Sequence, residues 1–268
     1  MNRFRQDSAV EKIADLHWRG HLCDDWCIGP VPNGGYVLAV AARALSEALP
    51  HRDPLTINAY YIASPDLGPI ECHIEVLRRG GSTSFAMVKM VQEGVLKVQI
   101  TAAYTELHLL KGETRITAGA PAIPGFDECV GVPGPVDVIK VRKYTTMRVV
   151  PGMERSFLGE PTGNAYWDGW LEFKDLDKAE RPVDLFELLY FTDAFPPPVF
   201  NYYGPVGWVP TLELNVQIRA KPQAGPIQCH FEMRYLTNGV LEEDGTLWDC
   251  AGNIVALSRQ TAKLRLAK

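Results

Sequence analysis

The chain has 268 residues, 46% of them hydrophobic and 22% charged, with a net charge of −5. This composition can bury a full core and is not that of a disordered protein. With no basic run and no apolar stretch near the roughly eighteen residues of a membrane span, neither nucleic acid nor membrane is an expected partner.

The first thirty residues start with Arg3, Arg5, Asp7, Glu11 and Lys12 and hold no apolar segment before a small-residue cleavage site, so a cytoplasmic location is expected. Six cysteines in a chain of this length are too sparse for a disulfide scaffold, and free thiols are expected. His17, His21, Cys23 and Cys27 lie close together, but their spacing fits no common metal pattern and no second ligand pair follows, so no metal site is expected.

Next, Gly34-Gly35 opens an apolar stretch from Tyr36 to Leu49 that is stopped by Pro50, which predicts a helix of about four turns. It is apolar nearly all round and should be buried. Past it, Gly68-Pro69 leads into Ile70, Cys72, Ile74 and Val76, an alternation that predicts a strand with one buried face. A turn at Glu93-Gly94 predicts a hairpin. The segment from Lys111 to Pro135, with Pro121, Pro124, Pro133 and Pro135 and no periodicity, is the predicted linker between residues 1–110 and residues 136–268.

The second half repeats the first. A second buried helix is predicted over Val183 to Phe195, opened by Pro182 and stopped by Pro196, Pro197 and Pro198. Shifting the sequence by 157 places sets Leu55–Val76 on Leu212–Met233 with ten of 22 positions identical, where chance gives about one or two. Cys72 falls on Cys229 and His73 on His230, so the cysteines should point inward and the histidines, common to both copies, should be structural. One further place of shift sets Val98 on Ala256. The aromatic-rich stretch Phe195–Trp208 either lines an acyl tunnel or packs as a connection.

The strings Pro32-Asn33-Gly34-Gly35-Tyr36, Arg79-Gly80-Gly81-Ser82-Thr83-Ser84, Gly207-Trp208-Val209-Pro210-Thr211-Leu212-Glu213-Leu214, Glu243-Asp244-Gly245-Thr246-Leu247-Trp248-Asp249 and Ala256-Leu257-Ser258-Arg259-Gln260 occur in this order. In this the chain resembles the acyl-CoA thioesterases of the double-hotdog type over essentially its whole length. The resemblance implies an α+β fold in which two tandem hotdog domains, each an antiparallel sheet around one long helix, form a pseudo-dimer. It implies hydrolysis of acyl-CoA or related acyl thioesters by carboxylate-activated water, with no cofactor, since coenzyme A is part of the substrate. Exposed hotdog edges also leave room for homo-oligomers.

The family's acid, hydroxyl and glutamine map onto Glu213, Thr237 and Gln260, with Tyr235 and Asn238 competing for the hydroxyl's place. Where the second half has Glu213 and Gln260, the first has Thr56 and Ala102, as expected if one copy kept the polar site. The family's histidine four places after the acid is here Gln217. Substrate binding is expected at Asn33, Gly34, Gly35 and Tyr36, whose helix start would polarise the thioester carbonyl. Gly80, Gly81 and Ser82 either cradle a phosphate or simply turn the chain. Gly-x-Ser-x-Gly is absent, which removes the serine-hydrolase route. Two other functions fit such a chain: a biosynthetic enzyme releasing or cyclising a polyketide-like acyl group, and an acyl-binding protein whose site has decayed. Gln217 favours either.

Overall fold

The structure is a computed structural model and describes residues 2–132, 134–175 and 182–266, so Pro133 of the predicted linker lies outside the described residues. Ten main strands and two helices carry the fold, in two runs of the same order. The first run is β1 (His17–Leu22), α1 (Gly34–Ala48), β2 (Asp53–Tyr61), β3 (Gly68–Arg79), β4 (Thr83–Gln92) and β5 (Val95–Thr105). The second is β6 (Tyr166–Phe173), α2 (Leu185–Phe191), β7 (Thr211–Ile218), β8 (Ile227–Glu232), β9 (Val240–Trp248) and β10 (Ile254–Lys263).

All ten strands join one antiparallel sheet in the order β1-β3-β4-β5-β2-β7-β10-β9-β8-β6. Each half uses the same internal order, and the halves meet edge to edge where β2 pairs with β7. At that seam Asn58 faces Asn215, Thr56 faces Gln217 and Tyr60 faces Glu213. Asn58 and Asn215 are equivalent positions of the repeat, so the central pair is one repeat position meeting itself and a local two-fold axis passes through the seam, as in an isologous dimer interface. The double-hotdog architecture follows. Short strands extend both ends of the sheet, and one of them, Val130–Gly131, falls inside the stretch read as a linker and pairs with Thr145–Val149. The carbonyls of Pro121 and Pro124 in that stretch accept bonds from Gln228 Nε2 and Trp170 Nε1, which tie it to the second half.

Helix α1 begins where the Asn33 side chain accepts the Tyr36 N–H at 2.9 Å, satisfying one of the first-turn donors. It ends because Leu49 precedes Pro50 and is held extended, at φ −99° and ψ 152°. Tyr36 to Ala42, with Ala44 and Leu45, are fully buried and pack on β1, β2, β3 and β4. Burying each large apolar side chain here contributes about 1.5–3 kcal/mol. Cys72 and Cys229 are fully buried, as the alternation predicts.

Helix α2 is shorter than the expected 183–195. Asp184 caps it in a reciprocal box with Glu187, but the ladder tightens past Phe191: Asp193 N–H bonds back only to Tyr190 O, at 3.1 Å. The helices run antiparallel, with the end of α2 on the start of α1, and Arg43 of α1 reaching Asp184 at the start of α2. A one-turn helix, Arg3–Asp7, also covers that start: Arg5 Nε lies 2.9 Å from Asp184 Oδ2, and Asn2 Nδ2 bonds Glu187 Oε1 at 2.8 Å. Phe4 of this turn joins Trp26 and Tyr36 of the first half to Phe173 and Tyr190 of the second in one aromatic cluster. Among the described residues no helix is long and apolar enough to cross a membrane.

Candidate active site

The site forms where the end of α2 meets the start of α1. At Gly35 a Cβ would stand 2.8 Å from Leu189 O and 2.9 Å from Tyr190 O, so only glycine lets the helices approach this closely. That approach sets the Asp193 carboxylate on the first turn of α1. Asp193 Oδ2 accepts Gly35 N–H and Asn33 Nδ2, each at 2.9 Å, and Asn33 Nδ2 also bonds Asp193 O at 2.7 Å. Tyr61, at the end of β2, closes the side with its hydroxyl donating to Gly34 O at 2.8 Å. Burial raises the Asp193 pKa to about 6, against the opposing effect of the bonds from Gly35, Gly34 and Asn33.

Two side chains of the second half look into the same interior. Strand register sets Ala59, Leu214, Gln260 and Glu243 in one row across β2, β7, β10 and β9. Opposed residues of an antiparallel sheet share a face, and here that face is buried. Gln260 and Glu243 are both almost wholly buried, and Gln260 Oε1 and Glu243 Oε2 have no hydrogen-bond partner. Two orphaned polar atoms on neighbouring strands mark a place that a water or a substrate atom would fill. Burial, then the charges of Asp193 and Asp244, push the Glu243 carboxyl well above the usual carboxylate range.

The same register separates the expected trio. Glu213 pairs with Thr261 and Tyr60, so its side chain stands with Asn215 and Gln217 on the outer face, opposite to Gln260. Its carboxylate accepts the Thr261 hydroxyl at 3.2 Å and borders an outer groove with Glu232, Asp244 and Arg259. Glu213 and Gln260 therefore do not share a water, because adjacent residues along a strand point to opposite faces. Thr237 is exposed in a short turn closed by Asn238 and Gly239, both at positive φ, and Tyr235 is exposed beside it.

Tyr36 is also displaced from the expected binding set: it is fully buried, and its hydroxyl donates to Asp7 O and His21 O and accepts Cys23 N–H. The N–H groups at the start of α1 are engaged as well, Gly35 by Asp193 and Tyr36 and Val37 by Asn33. The helix start therefore holds the carboxylate where a substrate carbonyl was expected. Gly80, Gly81 and Ser82 form the β3–β4 turn, with Gly80 N–H on Thr83 O, Gly81 O on His51 Nε2, and Ser82 O on Thr105 Oγ1. His51 follows the far end of α1, so this turn lies about one helix length, roughly 22 Å, from Asn33. In the aromatic stretch, Asn201 is fully buried and bonds Ser156, Thr162 and Tyr166 O, which makes that part a packed connection.

Asp193 escaped sequence reasoning because it falls inside the stretch read as helix. Its signal was an acid just before three prolines at the end of an otherwise apolar segment. Glu243 stood in plain view, at the head of one of the family strings.

Comparison with known proteins gives the chain its class. The profile of the acyl-CoA thioesterase C-terminal domain matches residues 121–264, and that of the N-terminal domain residues 22–105. A thioesterase II candidate from Thermobifida fusca superposes with a TM-score of 0.88 at 25% identity, covering 100% of this chain and 98% of its own. The acyl-CoA thioesterase II TesB2 of Mycobacterium marinum shares the fold, with a TM-score of 0.76 at 19% identity over 99% of each chain. The thioesterase-like protein TwmA of Talaromyces wortmannii is 22% identical, covering 97% of this chain and 91% of its own. Fold and profiles together define a double-hotdog enzyme. The chain belongs to the acyl-CoA thioesterase family and is a thioester hydrolase.

Proposed function

We propose that the chain hydrolyses acyl-CoA esters, with Asp193 as the general base and Gln260 and Glu243 as the groups that hold the attacking water and the thioester oxygen. The observation that carries this reading is the meeting of three polar groups in one interior: an acid with its pKa raised to about 6, and the two orphaned atoms of Gln260 and Glu243. At neutral pH a carboxyl of that pKa is mostly ionised and close in basicity to the medium, which is the condition for an efficient base. Burial pushes the Glu243 carboxyl well above the usual carboxylate range, which favours the neutral form that can supply an O–H donor. In this reading the neighbouring Asp193 and Glu243 carboxyls play different roles, base and donor, set by their surroundings.

In this scheme the water gives its proton to Asp193 as its oxygen bonds to the acyl carbon. The carbonyl oxygen takes up negative charge, which Glu243 and the Gln260 amide stabilise by hydrogen bonding. The tetrahedral centre then collapses, the carbon–sulfur bond breaks, and the thiolate leaves with the proton returned from Asp193. The free acid and coenzyme A are the products.

The test follows thiol release from a panel of acyl-CoA esters of increasing chain length. Asp193→Asn should lower kcat by about 10²–10⁴-fold with the fold retained. Glu213→Gln, on the opposite face, should keep wild-type turnover. If Asp193→Asn turns over like the wild type, Asp193 is not the base; if Glu213→Gln alone loses activity, the site lies on the outer face.

A further inference from the structure

We infer that the first half carries a divalent transition-metal site, of zinc type, on the outer face of β1 and β3, built by His17, Glu71 and His73. Sequence spacing gave no reason to expect it, because His17 finds its partners not in His21, Cys23 or Cys27 but across the sheet. His17 and His73 are register partners on β1 and β3, and Glu71 lies two places before His73, so all three share one face. Their ligand atoms lie within 4.8 Å of one another.

The spacing admits a metal, with the His17 and His73 rings stacked at 4.3 Å beside the Glu71 carboxylate. Ligand atoms about 2.0–2.1 Å from a tetrahedral zinc stand roughly 3.3 Å apart. Here Glu71 Oε2 lies 3.4 Å from His17 Nε2 and 3.2 Å from His73 Nε2. His17 Nε2 is shut off from solvent without a hydrogen-bond partner. Arg19 Nη2, 3.6 Å from Glu71 Oε1, draws on the other carboxylate oxygen and leaves Oε2 to the two imidazoles. Lys89, the register partner of His73 on β4, is the other cation beside the cluster. Two imidazoles and one carboxylate make a borderline ligand set, and water would complete the coordination.

The duplicate position shows what a satisfied histidine looks like in this fold. In the second half Asp168 faces His230, as His17 faces His73, and the two are joined by a 2.8 Å hydrogen bond. Gln228 stands there in place of Glu71. The repeat has kept the histidine in both halves, but only the first surrounds it with a second imidazole and a carboxylate. The other grouping of such residues among those described, Asp53, Glu106 and His108, is already committed: Asp53 binds Lys221 and Leu107 N–H, and Glu106 binds Arg52 N–H.

The experiment uses the full chain, free of any histidine tag and stripped with a chelator, titrated with zinc chloride by calorimetry and by thermal melting. One zinc per chain should bind, raise Tm, and be reversed by chelator. His73→Gln and Glu71→Gln remove half-exposed side chains, so both should fold, and each should weaken zinc binding at least about tenfold. His230→Gln and His108→Gln should bind as the wild type does. A cobalt(II) complex should show no sulfur-to-metal charge transfer. Absence of saturable zinc binding, unchanged affinity in His73→Gln and Glu71→Gln, or a thiolate signature from Cys23 and Cys27 would each overturn the assignment.

Discussion

Asp193 is held by opposing effects: burial disfavours its charge while Gly35, Gly34 and Asn33 donate to it, leaving its pKa at about 6. Two consequences can be measured. A base must be ionised to act, so kcat/KM should rise with pH through about 6, and this limb should vanish in Asp193→Asn. Stability runs the other way. The folded pKa lies above the unfolded value of about 3.9, so the native state binds the proton more tightly; the stabilising contribution is full below about pH 4 and lost as pH rises through about 6. Asp193→Asn, neutral throughout, should therefore gain Tm relative to wild type above about pH 6 more than below about pH 4. Glu243 poses a separate question, since a protonated donor and an ionised base predict opposite behaviour on amidation. Glu243→Gln keeps a donor and should retain most activity, whereas Glu243→Ala leaves Gln260 without its neighbour and should cost at least about tenfold in kcat.

At the scale of elements, the site depends on how closely two helices approach. Gly35→Ala would drive a Cβ against the Leu189 and Tyr190 carbonyls, backbone atoms that cannot swing aside. We expect a loss of about 1–3 kcal/mol in denaturant unfolding, with kcat falling as well because α2 carries Asp193 away from α1. Helix α1 was legible in the sequence because Gly34-Gly35, the apolar run and Pro50 all agree, whereas its Asn33 cap came only with the structure. The family string singled out Gln260, which the structure places on the buried face. The placing of Asp193 on the first turn of α1 was not legible, because it arises from the tightened end of α2 and from a contact across 158 residues, for which local pattern holds no signal. That Glu213 and Gln260 lie on opposite faces was hidden for a related reason: identity in a string says nothing about which face a strand presents, and the bulge between Thr211 and Glu213 shifts the pairing locally.

For the whole molecule, the repeat and the seam have a consequence for unfolding. One hydrophobic cluster runs from Phe4 to Ala256 and takes residues from both halves, with Trp26 and Trp167 fully buried in it. The halves should therefore not unfold separately. Tryptophan fluorescence and far-ultraviolet circular dichroism should lose signal together in one denaturant transition; two separated midpoints would mean that the β2–β7 seam and the shared aromatics couple the halves weakly. That the two halves repeat one helix-and-strand unit was legible from the sequence, while the register of the seam, with Asn58 on Asn215, was not.

The turn Arg3–Asp7 bears on how many substrates a chain can process at once. The two-fold arrangement offers a second helix start, at α2, but Leu185 and Phe186 stand where α1 has its two glycines, and Arg5 and Arg43 both reach the Asp184 carboxylate there. The duplicate is walled up by the chain's own N-terminal residues. A symmetric pair of single hotdogs has two identical centres and must alter both with every mutation. With the single centre proposed at Asp193, Glu243 and Gln260, the first half of this fused chain is free to evolve as a scaffold, and a tight-binding inhibitor should silence the enzyme at a single equivalent per chain.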